Sequence, residues 1–132
     1  MEQGLIGLDI LAAAHQLRRW DYPARLACID DFVQALPMGY NSLVGDMGSV
    51  MSAGQAQRVL LARVFYKQPK LIFLDEATAN LDGETERRVL ENLSGCGATI
   101  VIVSHRSAPI AIANRVYRCQ AGGLLCESEN VL

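Results

Sequence analysis

The 132-residue chain contains no uninterrupted apolar run long enough to cross a bilayer, and no charged N-terminal region followed by an apolar core and a cleavage site. It has no dense basic block either, because 12 Lys and Arg residues are balanced by 14 Asp and Glu residues. These absences predict a soluble protein and argue against nucleic acid as a partner.

The cysteines have no CxxC spacing, which argues against a zinc site and against a disulfide framework. We expect them to be reduced and mostly buried, as small hydrophobic residues are in a cytosolic protein. They are Cys28, Cys96, Cys119 and Cys126.

The length corresponds to about one modest domain, and a hydrophobic fraction of 51% favours a packed core. In the first half of the chain, apolar residues recur at helical spacing over Gly7–Trp20 and Ala24–Leu36. Pro37 ends the second of these helices, and a Gly-rich loop follows. The next helix, Gln55–Lys67, is apolar around most of its circumference, which predicts that it is largely buried and ends before Pro69.

The second half of the chain has the pattern of a βαβ unit. LIFL, Leu71–Leu74, and TIVIV, Thr99–Val103, are continuous apolar runs typical of strands buried on both faces of a parallel sheet. The helix between them is capped by Asp82 and runs to about Leu93. A short helix opened by Pro109 and a hairpin, VYRC to LLCE, complete the chain, so the fold class is α/β.

The stretch MSAGQAQR has two explanations. Ser52 and Gln55 form a capping box, which satisfies free backbone amides at a helix start. Ser52, Ala53 and Gly54 also form a small-residue loop at a helix N-terminus, where amides and the helix dipole favour a phosphate. The local sequence allows either function.

Polar residues follow each predicted parallel strand, at the sheet edge where α/β proteins bind ligands. Asp75 and Glu76 follow the first strand, and His105 follows the second. Each has an ordinary structural explanation, as a solvated loop start or a satisfied histidine. Together they fit a division of labour in which Asp75 holds Mg²⁺, Glu76 accepts a proton from water and His105 orients a phosphoryl group.

Three segments resemble one family in order and approximate spacing. MSAGQAQRVLLAR, LIFLDEATANLD and IVSHR are similar to the signature motif, the Walker B motif with D-loop, and the H-loop of ATP-binding cassette (ABC) ATPases, over Leu36 to about Glu127. The resemblance implies a partial P-loop-type parallel sheet with flanking helices. Residues 1–23 stay unassigned, 24–54 become helical subdomain and signature loop, and 55–132 become the βαβ core.

The resemblance also implies roles for individual residues. Ser52, Gly54 and Gln55 correspond to signature positions that contact the γ-phosphate of ATP bound by the opposite protomer of a head-to-tail dimer. Asp82 corresponds to the D-loop aspartate at that interface. Toward the nucleotide of its own protomer, the resemblance implies that Asp75 binds Mg²⁺, that Glu76 is the catalytic base and that His105 is the switch histidine.

The chain departs from the family pattern at several positions. Met51 and Ala53 replace the Leu and first Gly of LSGGQ, and ANLD replaces the commoner SALD. Ala53 would weaken the phosphate contact if its position required a positive φ. No GxxxxGKS or GxxxxGKT sequence is present, so the chain lacks the loop that cradles the β- and γ-phosphates.

The leading prediction is therefore the C-terminal part of an exporter ATPase domain of the bacteriocin or peptide type, from a truncated or split gene product. By itself it would hydrolyse little ATP. Its partners would be a second ATPase domain and the transmembrane domains of an exporter, on the cytoplasmic side of the bacterial inner membrane, without direct contact to the exported substrate. A non-catalytic module that supplies its signature motif in trans is one alternative. A nucleotide-independent hydrolase using Glu76 and His105 is another.

Overall fold

The computed structural model describes residues 20–42 and 51–129. The first part contains two short helices and a 3-10 turn, which are α1 (Asp21–Leu26), α2 (Asp30–Gln34) and Gly39–Asn41. The second part contains, in chain order, α3 (Ala53–Lys67), β1 (Leu71–Asp75), α4 (Gly83–Ser94), β2 (Thr99–Val103), α5 (Ser107–Ile112), β3 (Arg115–Gln120) and β4 (Gly123–Glu129). The predicted helix over residues 7–20 lies outside the described residues except at Trp20.

The predicted βαβ unit is present. β1 pairs with β2 in parallel, from Leu71 opposite Thr99 to Asp75 opposite Val103, and α4 connects them. The closing hairpin is also present, because β3 and β4 pair antiparallel around a turn in which Gly122 has a φ of 102°. The α/β class, with a parallel sheet and flanking helices, is confirmed.

The hydrophobic core lies on one face of the parallel pair. β1 contributes Ile72 and Leu74, which point toward α3 and α4 and are at most 6% exposed. The helices and the α1–α2 segment cover them with a cluster of buried apolar side chains, Ala24, Ala27, Ile29, Leu61, Ala62, Phe65, Val89, Leu90 and Leu93. This core fixes the positions of α3, α4 and the strand ends relative to one another.

The prediction that both strands are buried on both faces is wrong for the described residues. Burial alternates along β1, so that Leu71 and Phe73 are exposed, as are Val101 and Val103 on β2. The apolar run is continuous because both faces are apolar, yet among the described elements only one face is packed.

The predicted single helix over Ala24–Leu36 is also wrong. The helical path breaks at Cys28, which has a left-handed φ of 56°, and resumes at Asp30. Arg58 of α3 donates from Nη1 to the carbonyl oxygen of Cys28 at 2.6 Å. This hydrogen bond joins residues 30 positions apart in the sequence and holds the carbonyl group at the break. The periodicity of the local sequence cannot predict such a contact.

Helix α3 ends at Lys67 as predicted, and it begins at Ala53, two residues before the predicted start at Gln55. Ser52 is its N-cap, and Gln68 ends it in a left-handed conformation before Pro69. The prediction that this helix is largely buried is wrong, because only Leu61, Ala62 and Phe65 are buried. α5 begins at Ser107, two residues before the predicted start at Pro109.

The four cysteines are free, as predicted, but mostly exposed rather than buried. Cys28 is half-buried, while Cys96, Cys119 and Cys126 are exposed. The error arises because two of them lie on the β3–β4 hairpin, which is largely exposed in the described part of the chain. Their residue type predicted burial, and the position of the hairpin overrides it.

Candidate functional site

The start of α3 is built by a reciprocal capping box. The amide of Gln55 donates to Ser52 Oγ at 3.2 Å, and the amide of Ser52 donates to Gln55 Oε1 at 2.8 Å. A helix leaves its first amides without intrahelical partners. Within the described part of the chain, the capping box leaves the amides of Ala53 and Gly54 available, and an anion is the group that such amides bind best.

Gly54 lies against the loop that follows β1. A Cβ atom at Gly54 would lie 2.6 Å from the carbonyl oxygen of Asn80, which is too close for any real contact. Ala53, by contrast, is an exposed helical residue and is absent from the positive-φ residues, so its position needs no glycine. The concern attached to Ala53 in the sequence therefore does not apply, and the position that requires glycine is Gly54.

The carboxylates and the histidine meet at the carboxyl edge of the sheet, as predicted. Asp75 ends β1 opposite Val103, and the next amide, that of Glu76, donates to the Val103 carbonyl at 3.0 Å. Glu76 turns the chain there with a left-handed φ of 48°, which is uncommon for a residue with a Cβ. Its Oε1 lies 3.8 Å from Nε2 of His105.

This edge is open to solvent. The His105 side chain is 96% exposed and that of Glu76 is 39% exposed. Among residues 20–42 and 51–129, no three His, Cys, Asp or Glu side chains come close enough to cage a cation. Mg²⁺ commonly uses one or two carboxylates together with substrate phosphates. The exposed carboxylate of Asp75 therefore fits Mg²⁺ in that manner.

Asp82 lies at the far end of the loop that begins at Glu76. Its Oδ1 accepts a hydrogen bond from the amide of Thr85 at 3.0 Å, so it is the N-cap of α4, as predicted. The hydrogen bond from the Thr85 backbone lowers the pKa of Asp82 below its ordinary value. Capping leaves this carboxylate exposed and charged, and therefore accessible to a partner.

Gln57 joins α3 to this loop and had no predicted role. Its Nε2 donates to the Glu76 carbonyl at 3.2 Å, and its Oε1 accepts from the Asn80 amide at 3.0 Å. One side chain thus spans both ends of the turn after β1. The only signal in the sequence is a polar residue on a helix that is otherwise mainly apolar.

Arg106, next to His105, also contacts this loop and was not predicted. Its Nη1 donates to the carbonyl oxygens of Ala79 and Leu81 at 2.9 and 3.4 Å. Its Nη2 lies 2.7 Å from a carboxylate oxygen of Glu86 on α4. The loop is therefore held from α3 on one side and from the segment after β2 on the other.

A concavity of about 280 Å³ lies elsewhere, near the start of β1. Its lining includes Tyr22, Phe65, Pro69 and Cys96, and none of the predicted site residues. Ligands of parallel α/β sheets bind at the carboxyl ends of strands, and this concavity is at the opposite end. The candidate site is therefore the exposed edge, not the concavity.

A parallel βαβ unit with carboxylates and a histidine at the carboxyl ends of its strands belongs to the class of α/β proteins that bind ligands at that edge. The family model described as ABC transporter matches residues 10–79, just over half of the chain. The chain belongs to the ABC transporter family. The match begins at residue 10, within the segment 1–23 that the sequence motifs left unassigned. The domain limits predicted from the sequence stay a prediction.

Named relatives are consistent with this family. The chain is 40% identical over 104 residues to multidrug resistance protein 1 of Entamoeba histolytica, covering 77% of the chain and 8% of that protein. It is 40% identical over 93 residues to the probable microcin secretion/processing ATP-binding protein MchF of Escherichia coli, covering 70% and 13%. It is 35% identical over 126 residues to the toxin RTX-III translocation ATP-binding protein of Actinobacillus pleuropneumoniae, covering 88% and 18%.

A solved structure of a bacterial Atm1-family ABC exporter with ATP bound has the same fold over 85% of the chain, with a TM-score of 0.72 and 34% identity. The chain spans 20% of that structure and 8 to 18% of the three named relatives. The predicted resemblance to ATP-binding domains of ABC exporters is confirmed. None of the described helices is both long and apolar enough to cross a membrane.

Proposed function

We propose that this chain is the C-terminal part of an exporter ATP-binding domain and that it contacts ATP held by an opposite protomer. Ser52, Gly54 and Gln55 would provide that contact, with Asp82 at the same interface. The observation that supports this proposal best is the helix start of α3. There the capping box uses the amides of Ser52 and Gln55, and no described residue accepts from the adjoining Gly54 amide, which would donate to a phosphate.

The same proposal assigns the carboxyl edge of the sheet to the chain's own nucleotide site. Mg²⁺ and ATP, when bound, would supply the electrophilic phosphoryl group and the neutralisation of its charge. Asp75 would hold the cation, because its carboxylate is exposed at the strand end. Glu76 would accept the proton of a water, and His105, 3.8 Å from Glu76, would orient a phosphate oxygen.

Partners and location follow from the same proposal. A second ATP-binding domain would form the head-to-tail dimer, and transmembrane domains of an exporter would couple it to transport on the cytoplasmic side of a bacterial inner membrane. Two of the relatives are named for microcin secretion and for toxin translocation. We propose a peptide or protein toxin as the exported substrate, with no direct contact to this chain.

A single-turnover measurement with Mg²⁺ and labelled ATP tests the proposal. The chain by itself contains no GxxxxGKS or GxxxxGKT sequence to position the phosphates, and positioning supplies most of the catalysis in phosphoryl transfer. We therefore expect turnover at least about a hundredfold below that of a complete ABC ATP-binding domain. Turnover by the chain at the rate of a complete domain, or metal-dependent hydrolysis indifferent to ATP, would contradict it.

A further inference from the structure

Glu86 is a buried carboxylate that none of the roles above uses. It lies on the inner face of α4 and its side chain is 2% exposed. A buried charge is costly unless it is paired and hydrogen-bonded. Glu86 meets both requirements, since Thr78 Oγ1 donates to its Oε1 at 2.7 Å and Arg106 Nη2 lies 2.7 Å from its Oε2.

The guanidinium of Arg106 is shared between this carboxylate and the backbone of the loop. Nη2 pairs with Glu86, while Nη1 donates to the carbonyls of Ala79 and Leu81. The fixed planar fork of arginine can contact several acceptors at once, whereas a lysine ammonium acts as a single point charge. The geometry therefore uses the shape of Arg106 as well as its charge.

Arg106 is also fixed from its own backbone. Its amide donates to Ser104 Oγ at 3.1 Å, within the short turn that carries His105. On the other side, the loop that Arg106 contacts leads directly into Asp82 at the start of α4. One side chain thus connects the segment of His105 to the segment of Asp82.

We propose that Arg106, held by Glu86, is a positioning residue that sets the loop Ala77–Leu81, and with it Asp82, relative to His105. The inference rests on the proposed function, because that function gives Asp82 its place at an interface and His105 its place at a phosphate. A displacement of the His105 turn would be passed to the loop through the guanidinium. Arg106 itself would touch neither nucleotide nor metal.

Amide hydrogen exchange of the full chain tests the structural half of this proposal. Arg106→Lys keeps the charge and removes the fork, so we expect exchange at the amides of Asn80 and Leu81, which donate to Gln57 Oε1 and to the Thr78 carbonyl, to rise at least about tenfold. Arg87→Lys is the matched control, since Arg87 forms exposed ion pairs with Glu84 and Glu91 on the same helix. Arg87→Lys should change the exchange rates of those amides by less than about twofold. Equal exchange in Arg106→Lys and wild type would overturn the proposal.

A second variant guards against loss of folding. Glu86→Gln combined with Arg106→Met removes the buried charge of Glu86 together with the half-buried charge that pairs with it, and retains an acceptor for Thr78. We expect this double variant to fold while its loop amides exchange as fast as those of Arg106→Lys. If its loop amides are as protected as in wild type, the loop does not depend on Arg106.

Affinity for a partner tests the functional half. The ATP-binding domain of the Actinobacillus pleuropneumoniae relative is titrated with the chain in Mg²⁺ and ATP. We expect Arg106→Lys to weaken binding about tenfold and Arg87→Lys to leave it unchanged. Raised exchange with unchanged affinity would overturn the positioning role. If wild type does not bind at all, the proposed function fails, and the exchange data then decide separately whether Arg106 holds the loop.

Discussion

At the scale of single residues, the start of α3 depends on the absence of a side chain at one position. Gly54 packs against the Asn80 carbonyl, whereas its neighbour Ala53 is exposed. We expect Gly54→Ala to lower the free energy of unfolding by about 1 to 3 kcal/mol, because the added methyl must displace backbone. Urea unfolding of the variant and of wild type measures the difference.

Ala53→Gly is the control for that variant. It restores the glycine usual in the family, at a position where the backbone does not require it, and should cost about 1 kcal/mol or less. Equal losses for Gly54→Ala and Ala53→Gly would mean that the turn has no steric requirement at Gly54. The motif predicted a contact in this stretch. The sequence could not tell whether Ala53 or Gly54 is the sterically restricted position, because the restriction comes from Asn80, which is distant in sequence.

At the scale of elements, α2 is tied to its surroundings by one carboxylate. Tyr40, Gln34 and Arg25 all donate to Asp30. Burial by itself would raise the pKa of Asp30, but the hydrogen bonds from Tyr40, Gln34 and Arg25 outweigh it and hold the pKa below the ordinary 3.8. Burial and the bond to Asp30 raise the pKa of Tyr40 well above its usual range.

This arrangement predicts a pH dependence of stability. A carboxyl whose folded pKa lies below its unfolded value stabilises the fold above the unfolded value, and the contribution is lost as the pH falls through the folded pKa. Asp30→Asn should therefore lower the free energy of unfolding at pH 7 by about 1 to 3 kcal/mol. Below about pH 5, the free energy of unfolding of the variant should decrease less with falling pH than that of wild type. The exposed neighbour provides the control, since Asp31→Asn should change little. An unaltered pH profile in Asp30→Asn would contradict this account.

The features of the fold that follow from short stretches of sequence were predictable. The strands and α4 follow from apolar runs and from the cap at Asp82, and the meeting of Asp75, Glu76 and His105 follows from parallel strand ends. The break at Cys28 and the roles of Gln57 and Arg106 were not predictable. They depend on hydrogen bonds between residues 19 to 30 positions apart, which leave no periodic pattern in the sequence.

At the scale of the whole molecule, the face of the parallel strands that no described element covers should drive self-association. Phe73 is 73% exposed and adjoins the exposed Leu71, Val101 and Val103. We expect Phe73→Thr to reduce concentration-dependent association in sedimentation velocity without a large loss of stability. Ile72→Thr, on the buried face of the same strand, should instead lower the free energy of unfolding by about 2 to 4 kcal/mol. Undiminished association of Phe73→Thr would show that another surface is responsible.

The measurement that tests the central claim most directly is the nucleotide dependence of binding to a complete ATP-binding domain. The chain is titrated into a hydrolysis-deficient form of the Actinobacillus pleuropneumoniae domain with Mg²⁺ and either ATP or ADP. If the helix start at Ser52 and Gly54 meets the γ-phosphate of the partner's nucleotide, binding should be at least about tenfold tighter with ATP. Equal affinity with ATP and ADP, or no binding with either, would contradict the account.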